Sequence, residues 1–273
     1  SGVIENDPQD WDGAFRGKLV YTNNPAWVFY DILVNSRYGL GEFLTEFDID
    51  KFALYRIARY CDEMVTGAKG ELEPRFVANI YLTKQADAYK VLKDLATIFR
   101  GMLYFIDGEI FPVMDAPSNP VYAFNTSNVI DGEFTYETTG SKTRANQFIV
   151  RWNDPDYDYE ARNLIVEDSE AIAKDRHVLS QSAVAFGATS EGQAERYGRW
   201  KLWTAQNQKE IVQFSTTQNA LFLRPGDIVT ISDAERSATR YGGRVSGSHG
   251  TISTTSIPID STITLTSGHT YDL

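Results

Sequence analysis

The sequence has 273 residues, of which 42% are hydrophobic and 13% aromatic, and this is ample for a packed core and more than one typical domain would use. Its 26 basic residues are outnumbered by 37 acidic ones, and the resulting net charge of -11 argues against binding to nucleic acid or to anionic membranes. Residues 1–11 carry acidic side chains where a signal peptide would place positive charge, and no long apolar run follows. We therefore expect two domains with neither an export signal nor a membrane span.

Cys61 is the only cysteine, which excludes an intramolecular disulfide and a metal site built from several thiolates. Its helical neighbours Tyr60 and Met64 favour a buried thiol over a reactive nucleophile. The sequence opens on Ser1 and ends at Leu273, shortly after an alternating stretch at 262–265 that predicts a strand without a partner, so we expect it to be a piece of something longer.

Three stretches of apolar residues spaced three and four apart predict helices. The first begins after Asn24, and the run 38–41 (Tyr-Gly-Leu-Gly) is interpreted as a helix stop that supplies residues with positive φ. The second begins at Asp48 or Asp50, either of which could cap its free N–H groups. The third covers residues 83–100 and ends on a cation followed by a glycine.

Strands are predicted between and after these helices. Residues 75–82 follow an alternating pattern that includes β-branched and aromatic side chains, which predicts a strand. Asp107-Gly108 separates two apolar runs, which is a strong hairpin signal. Residues 20–115 therefore indicate one α+β domain.

A break at Pro117 and Pro120 is followed by a β-rich half with one long helix. That helix is predicted to run from Ser190 to about Gln206, with Ser190 and Gln193 forming a reciprocal capping box. A tight turn is predicted at 225–227. The predicted strands are 121–124, 132–137, 147–152, 163–166, 211–215, 228–232 and further strands beyond 242.

Several strings, in order along residues 20–246, resemble the tail-tip protein J family of lambda-like long-tailed bacteriophages. They include Arg37-Tyr-Gly-Leu-Gly41, Asp48-Ile-Asp-Lys-Phe-Ala-Leu-Tyr55, Trp152-Asn-Asp-Pro155, Phe186-Gly-Ala-Thr-Ser-Glu-Gly-Gln-Ala194 and Pro225-Gly-Asp-Ile228. A long ordered series of this kind is far more specific than any single motif.

The resemblance implies an α+β fold with the architecture of a central tail hub. Residues 1–19 would be the end of a preceding barrel or a linker, and residues 20–115 the α+β hub domain. Residues 120–273 would form a β-rich, tube-like barrel domain that carries the long helix.

The resemblance also implies a function. We expect a trimeric structural hub at the virion tail tip, made in the host cytoplasm, which links the tail tube to receptor-binding parts and leaves a channel for DNA. Its partners would be further copies of itself and neighbouring tail-tip and tail-tube proteins. The host receptor would be contacted by regions outside this segment. We expect no stable binding of nucleic acid. The alternatives are a glycan-binding or glycan-degrading tail module and the hub of a contractile secretion apparatus.

The acidic run 154–160 places carboxylates at alternate positions, as the first ligands of an EF-hand calcium loop do. However, Tyr159 stands where such a loop needs glycine, and Ile165 where it needs a bidentate glutamate. The pattern therefore favours a solvated acidic turn between strands over a calcium site.

The remaining candidates for chemistry are few. His177, His249 and His269 lack the spacing of a zinc motif, and each is interpreted as a surface or turn residue. Glu71 and Glu73 could flank a sugar in a glycosidase, but such pairs occur by chance in an acidic chain. We therefore expect no catalytic, cofactor-binding or metal-binding residues, no cofactor and no enzymatic activity.

Three aromatic residues of the long helix, Tyr197, Trp200 and Trp203, could form either of two surfaces. Because a helix over a sheet must bury one side, we favour core or subunit interface. A carbohydrate-binding platform is the alternative.

Overall fold

The computed structural model describes residues 11–15, 21–81, 88–106, 108–138 and 144–233, together with residues 236, 253, 257 and 258. Both helices and strands are present, which confirms the α+β class. The chain divides into two compact units. The first combines Ser1–Ala116 with Gly140–Gln208, and the second combines Pro117–Thr139 with Lys209–Leu273.

The elements follow one another along the chain in a mixed order. The helices are Pro25–Val34 (α1), Lys51–Asp62 (α2), Ala88–Ile98 (α3), Ser169–Asp175 (α4) and Glu191–Asn207 (α5). The strands are Met64–Thr66 (β1), Leu72–Pro74 (β2), Gly101–Ile106 (β3), Glu109–Met114 (β4), Tyr122–Asn125 (β5), Thr135–Thr138 (β6), Gln147–Asp154 (β7), Glu160–Glu167 (β8), Ser180–Val184 (β9), Glu210–Gln213 (β10) and Val229–Ser232 (β11).

The predicted starts of the first two helices are confirmed. The Asn24 side chain accepts a hydrogen bond from the Ala26 N–H at 3.0 Å and donates to the Ala58 carbonyl at 2.9 Å, which ties α1 to α2. Asp50 caps α2 by accepting from the Ala53 N–H at 2.9 Å. The predicted beginning of α3 at residue 83 lies outside the described residues.

The helix stop after α1 works differently from the prediction. Neither Gly39 nor Gly41 has a positive φ. A Cβ atom at Gly39 would instead lie 2.0 Å from the Ile32 carbonyl oxygen, and one at Gly41 would lie 2.1 Å from that of Val34. These glycines therefore allow the chain to pack directly on the last turn of α1.

The first unit has a core in which α1, α2 and α3 meet the β3–β4 hairpin. Phe29, Leu54, Leu95, Phe99 and Ile110 are fully buried there. The predicted hairpin is confirmed, with Ile106 opposite Glu109 and Gly108 in the left-handed region at φ +90°.

The predicted strand at 75–82 is wrong for the described residues 75–81, which form no ladder. Their N–H groups bond to separate segments: Phe76 to the Cys61 carbonyl at 3.1 Å and Asn79 to the Gly187 carbonyl at 3.0 Å. An extended segment can satisfy its backbone in this way without a neighbouring strand.

A three-stranded sheet with the order β8-β7-β9 also belongs to the first unit. Strand β7 is antiparallel to β8 and parallel to β9, and α4 lies between β8 and β9 in the chain. Helix α5 covers one face, where Phe148, Val150 and Leu202 are buried. The lack of a side chain at Gly198 brings α5 close to Val150.

In its described residues, the second unit contains two strand pairs. Strand β5 is parallel to β11, and β6 is antiparallel to β10. The predicted turn is confirmed, because the Asp227 N–H bonds to the Arg224 carbonyl at 3.0 Å and Gly226 has a φ of +94°. The predicted strands beyond residue 242 lie outside the described residues.

The compact units differ from the sequential domains expected at 1–19, 20–115 and 120–273. The break near Pro117 coincides with a unit boundary, but Gly140–Gln208 returns to the first unit. The reason is that α5 and the loop before it bond to residues 73–79. As domains of an assembled hub, the expected divisions stay a prediction. Among the described residues, no helix has the length and apolar character of a membrane span.

Candidate functional site

A polar cluster of the first unit forms where α5 begins. Ser190 caps this helix, because its Oγ accepts a hydrogen bond from the Gln193 N–H at 3.3 Å. This half of the predicted capping box is confirmed. The other half is wrong, since the Gln193 side chain turns away from Ser190 to Val77, accepting from its N–H at 3.2 Å and donating to its carbonyl at 3.1 Å.

Glu73, the middle residue of β2, connects this strand to the start of α5. Its carboxylate accepts hydrogen bonds from the Ser190 hydroxyl and from Arg196 Nη1, the latter at 2.7 Å. The side chains of Arg196 and Glu73 are only 19% and 15% exposed, so this ion pair is largely removed from water. Arg196 Nη2 also donates to the Arg75 carbonyl at 3.1 Å. We call Glu73, Ser190, Gln193 and Arg196 the Glu73 clamp.

A second arginine lies beside the clamp. The Arg100 guanidinium carbon lies 5.3 Å from the centre of the Phe76 ring and 5.1 Å from that of Trp200, and Nη2 donates to the Arg196 carbonyl at 3.1 Å. Burial lowers the pKa of Arg100. The Trp200 indole donates to Asp115 Oδ2 at 2.9 Å, which fixes the ring over the cation.

The clamp is suited to holding α5 in place. Glu73 binds the Ser190 hydroxyl and the Arg196 guanidinium. Glu71 is exposed, so the two carboxylates considered as a glycosidase pair have different surroundings. The Nε atoms of Arg100 and Arg196 are buried without a hydrogen-bond partner. Such a geometry resembles a structural ion-pair network, which fixes orientation and register.

The acidic run 154–160 forms the connection between β7 and β8, as the strand-connection interpretation predicts. Asp154 accepts a hydrogen bond from the Asp156 N–H at 3.0 Å and lies 3.8 Å from Arg162. Asp158 and Tyr159 are left-handed, with φ of +52° and +60°. In the described part of the chain, no group of three or more acidic, histidine or cysteine side chains is arranged to hold a metal.

The predictions for Cys61 and His177 are confirmed. Cys61 is fully buried, and its pKa is raised, first by burial and then by the nearby Asp62 carboxylate. His177 is exposed beside the end of α4, with Nδ1 at 2.6 Å from the Asp175 carbonyl. His249 and His269 lie outside the described residues.

The three aromatic residues of α5 do not form one surface. Tyr197 packs against the core of the sheet, and Trp200 covers Arg100. Trp203 is 59% exposed. The core interpretation is therefore confirmed for Tyr197, whereas Trp203 lies at the surface.

No sequence pattern predicts the clamp or the position of Arg100. Glu73 and Arg196 are separated by 123 positions in the chain, and no local pattern relates them. The available signal was Arg196, in the second turn of α5. An arginine at such a position is more often a surface residue.

Comparison with known proteins identifies the family. The family model described as "Putative phage tail protein" matches residues 87–246, which is more than half of the chain. Tip attachment protein J of Escherichia phage SECphi27 is 36% identical over 238 residues, covering 86% of this chain and 20% of that protein. The protein of the same name in Escherichia phage SECphi4 is 36% identical over 267 residues, covering 96% of this chain and 23% of that protein.

The chain thus spans about a fifth to a quarter of the length of these curated relatives. The family match ends at residue 246, as does the ordered series of strings in the sequence. The resemblance to the tail-tip protein J family is confirmed, and the chain belongs to the family of putative phage tail proteins.

Proposed function

We propose that this chain is a structural component of a phage tail tip. The observation that carries the proposal is its 36% identity, over 96% of its length, to a protein named tip attachment protein J. The Glu73 clamp supports it, because the polar groups gathered at α5 bind one another and stabilise a joint. A structural role, without enzymatic activity, is the simplest use of such a site.

We further propose that the intact protein forms a trimeric central hub around a channel for DNA. A ring of identical copies requires two different surfaces on each copy, and such contacts close only at a fixed rotation. The net charge of -11 suits a channel that a polyanion must leave quickly, since attractive sites along the wall would slow its transit.

The partners of this hub would be neighbouring tail-tip and tail-tube proteins. The host receptor would be contacted by regions outside residues 1–273, and the protein would be made in the host cytoplasm before tail assembly. The four fifths of the relatives' length that lie beyond the matched segment leave room for such regions.

The position in the virion can be tested by labelling. Gly70 lies in a turn with φ +87° and open space around it, so a short peptide tag inserted after Lys69 should leave the fold intact. We expect gold-labelled antibody against the tag to mark the tail tip of intact virions, with untagged virions as the control. A label on the capsid or along the tube would contradict the proposal.

The oligomeric state can be tested separately. We expect light scattering on the protein at its full encoded length to give the mass of three copies at micromolar concentration. A stable monomer or dimer would overturn the trimeric hub, while leaving a tail-tip location open to the labelling experiment.

A further inference from the structure

The segment between α1 and α2 holds two phenylalanines in solvent. Phe43 is 81% exposed and Phe47 is 79% exposed, and only four positions separate them. Exposed apolar residues that are scattered singly need no explanation, but neighbouring ones mark interaction surfaces. We call residues 38–48 the aromatic loop.

Hydrogen bonds fix the backbone of the aromatic loop. The Asn35 carbonyl accepts from the Gly39 and Gly41 N–H groups at 3.0 and 3.2 Å. The Asp48 carboxylate accepts from both the N–H and the hydroxyl of Thr45 at 2.7 Å, which closes a capping box. The loop therefore has a defined conformation before any partner binds.

Packing fixes which side chains point outward. Leu40 and Leu44 pack against the core of the first unit, and Ile49, just after the loop, is buried. The phenylalanines at 43 and 47, in the same segment, stay exposed to solvent. Rigid aromatic side chains that protrude from a preorganised loop are the usual anchors of a protein interface.

The aromatic loop is acidic. Glu42, Glu46 and Asp48 flank its phenylalanines. Glu46 lies 3.2 Å from Lys51, and Asp48 is engaged by Thr45. Glu42 makes no ion pair with any residue that the structure describes, so a carboxylate beside Phe43 is available to a partner.

The outer face of α3 has the complementary character. Tyr89, Lys90 and Lys93 are exposed on this helix, while Leu92 and Leu95 on its other side are buried. Lys93 makes no ion pair within the described ranges of the chain. We call residues 89, 90 and 93 the basic helix face.

We propose that the aromatic loop of one copy docks on the basic helix face of the next copy around the ring. This inference depends on the proposed trimer, and it is the charge complementarity of the two surfaces that selects a second copy as the occupant. Phe43 and Phe47 supply the apolar contact with Tyr89, and Glu42 faces Lys93. Two different patches in contact are what a head-to-tail ring requires.

The first experiment removes the apolar contact in the protein at its full encoded length. Replacing both phenylalanines (F43S together with F47S) should weaken trimer formation at least about 30-fold in light scattering over a dilution series. Tyr81→Ser is the matched control, because Tyr81 is 90% exposed but lies outside both surfaces. Unchanged far-UV circular dichroism spectra would show that the variants are folded.

The second experiment uses the polarity of the ring. A copy carrying F43S with F47S keeps its basic helix face. A copy carrying K90E with K93E keeps its aromatic loop. Mixed together, the two should form a heterodimer that cannot close into a ring. The charge reversal Lys93→Glu should also be rescued by Glu42→Lys in the same chain, since each contact then regains opposite charges.

The outcomes separate the two proposals. A wild type that is not trimeric overturns the hub. A trimeric wild type whose F43S/F47S variant assembles normally overturns only this interface. Loss of assembly without heterodimer formation and without charge rescue also overturns it, because the loop would then bind another segment or another tail protein.

Discussion

The side-chain amide of Gln193 bonds to both backbone polar groups of Val77, with Oε1 at 3.2 Å from the nitrogen and Nε2 at 3.1 Å from the carbonyl oxygen. Gln193 is 4% exposed, so water cannot replace it freely. A primary amide presents the same donor and acceptor as a peptide group. Gln193 thus takes the place of a neighbouring strand for the extended segment at Val77.

Replacing Gln193 with alanine should therefore destabilise the first unit. Two partly buried backbone groups would lose their partners, which costs about 2–4 kcal/mol of unfolding free energy. Chemical denaturation measures this loss, and Gln208→Ala, at the exposed end of α5, should change the free energy by less than about 0.5 kcal/mol. An equal effect of both substitutions would contradict the role assigned to Gln193.

The ion pair of Glu73 with Arg196 should matter more than an exposed ion pair. Glu73→Ala would leave a largely buried guanidinium without its carboxylate, at a cost of about 3 kcal/mol. The matched control is Glu63→Ala, because Glu63 pairs with Arg75 at 2.7 Å while its own side chain is 55% exposed. Breaking that pair should cost about 0.5 kcal/mol. A similar cost for both, in urea denaturation, would show that the clamp is not a stabilising joint.

Asp48 should make stability depend on pH in the acid range. Hydrogen bonds from the Thr45 backbone and then from its hydroxyl lower the pKa of Asp48. A lowered folded-state pKa gives stabilisation that is present above the unfolded-state pKa and is lost as the pH falls through the folded-state pKa. The melting temperature of Asp48→Ala should therefore be below that of the wild type at neutral pH and approach it under acid conditions.

The control for this measurement is Glu160→Ala. Glu160 is exposed and makes no ion pair within the part of the chain that the structure describes. Its melting temperature, measured over the same pH range, is the baseline for the removal of one exposed carboxylate. A gap for Asp48→Ala that widens on acidification would have the wrong sign for a lowered pKa.

Calcium should not stabilise the protein. The Asp154 carboxylate already accepts from the Asp156 N–H and lies near Arg162, so the acidic run is organised as a strand connection. A ligand at a hundred times its dissociation constant would add about 2.7 kcal/mol. We expect an unchanged melting temperature in millimolar calcium. A rise of several degrees that EGTA abolishes would contradict this expectation.

DNA should bind no better to this chain than to a generic acidic protein. Phosphate contacts from lysine and arginine supply nearly all non-specific affinity, and here acidic residues outnumber basic ones by 37 to 26. Fluorescence anisotropy with a labelled duplex at about 50 mM salt, where electrostatic binding is strongest, measures this. A dissociation constant below roughly 10⁻⁶ M with a steep salt dependence would reject a passive channel.

Local sequence determined the elements whose signals are short-range. Asn24 and Asp50 begin helices because their side chains cap N–H groups two or three positions away. Asp107-Gly108 produces a hairpin because only its own two strands must pair. The family could also be predicted from the sequence, because the ordered series of strings is recognisable without knowing which residues are in contact.

The tertiary structure decided where distant segments meet. Ser190 was recognisable as a cap, but the partner of Gln193 was not, because its amide bonds to a backbone 116 positions away. The same holds for Glu73 with Arg196, and for the return of 140–208 to the first unit. Residues 75–81 show the physical reason: alternation predicts an extended chain, whereas the choice between a ladder and separate partners depends on what packs beside it.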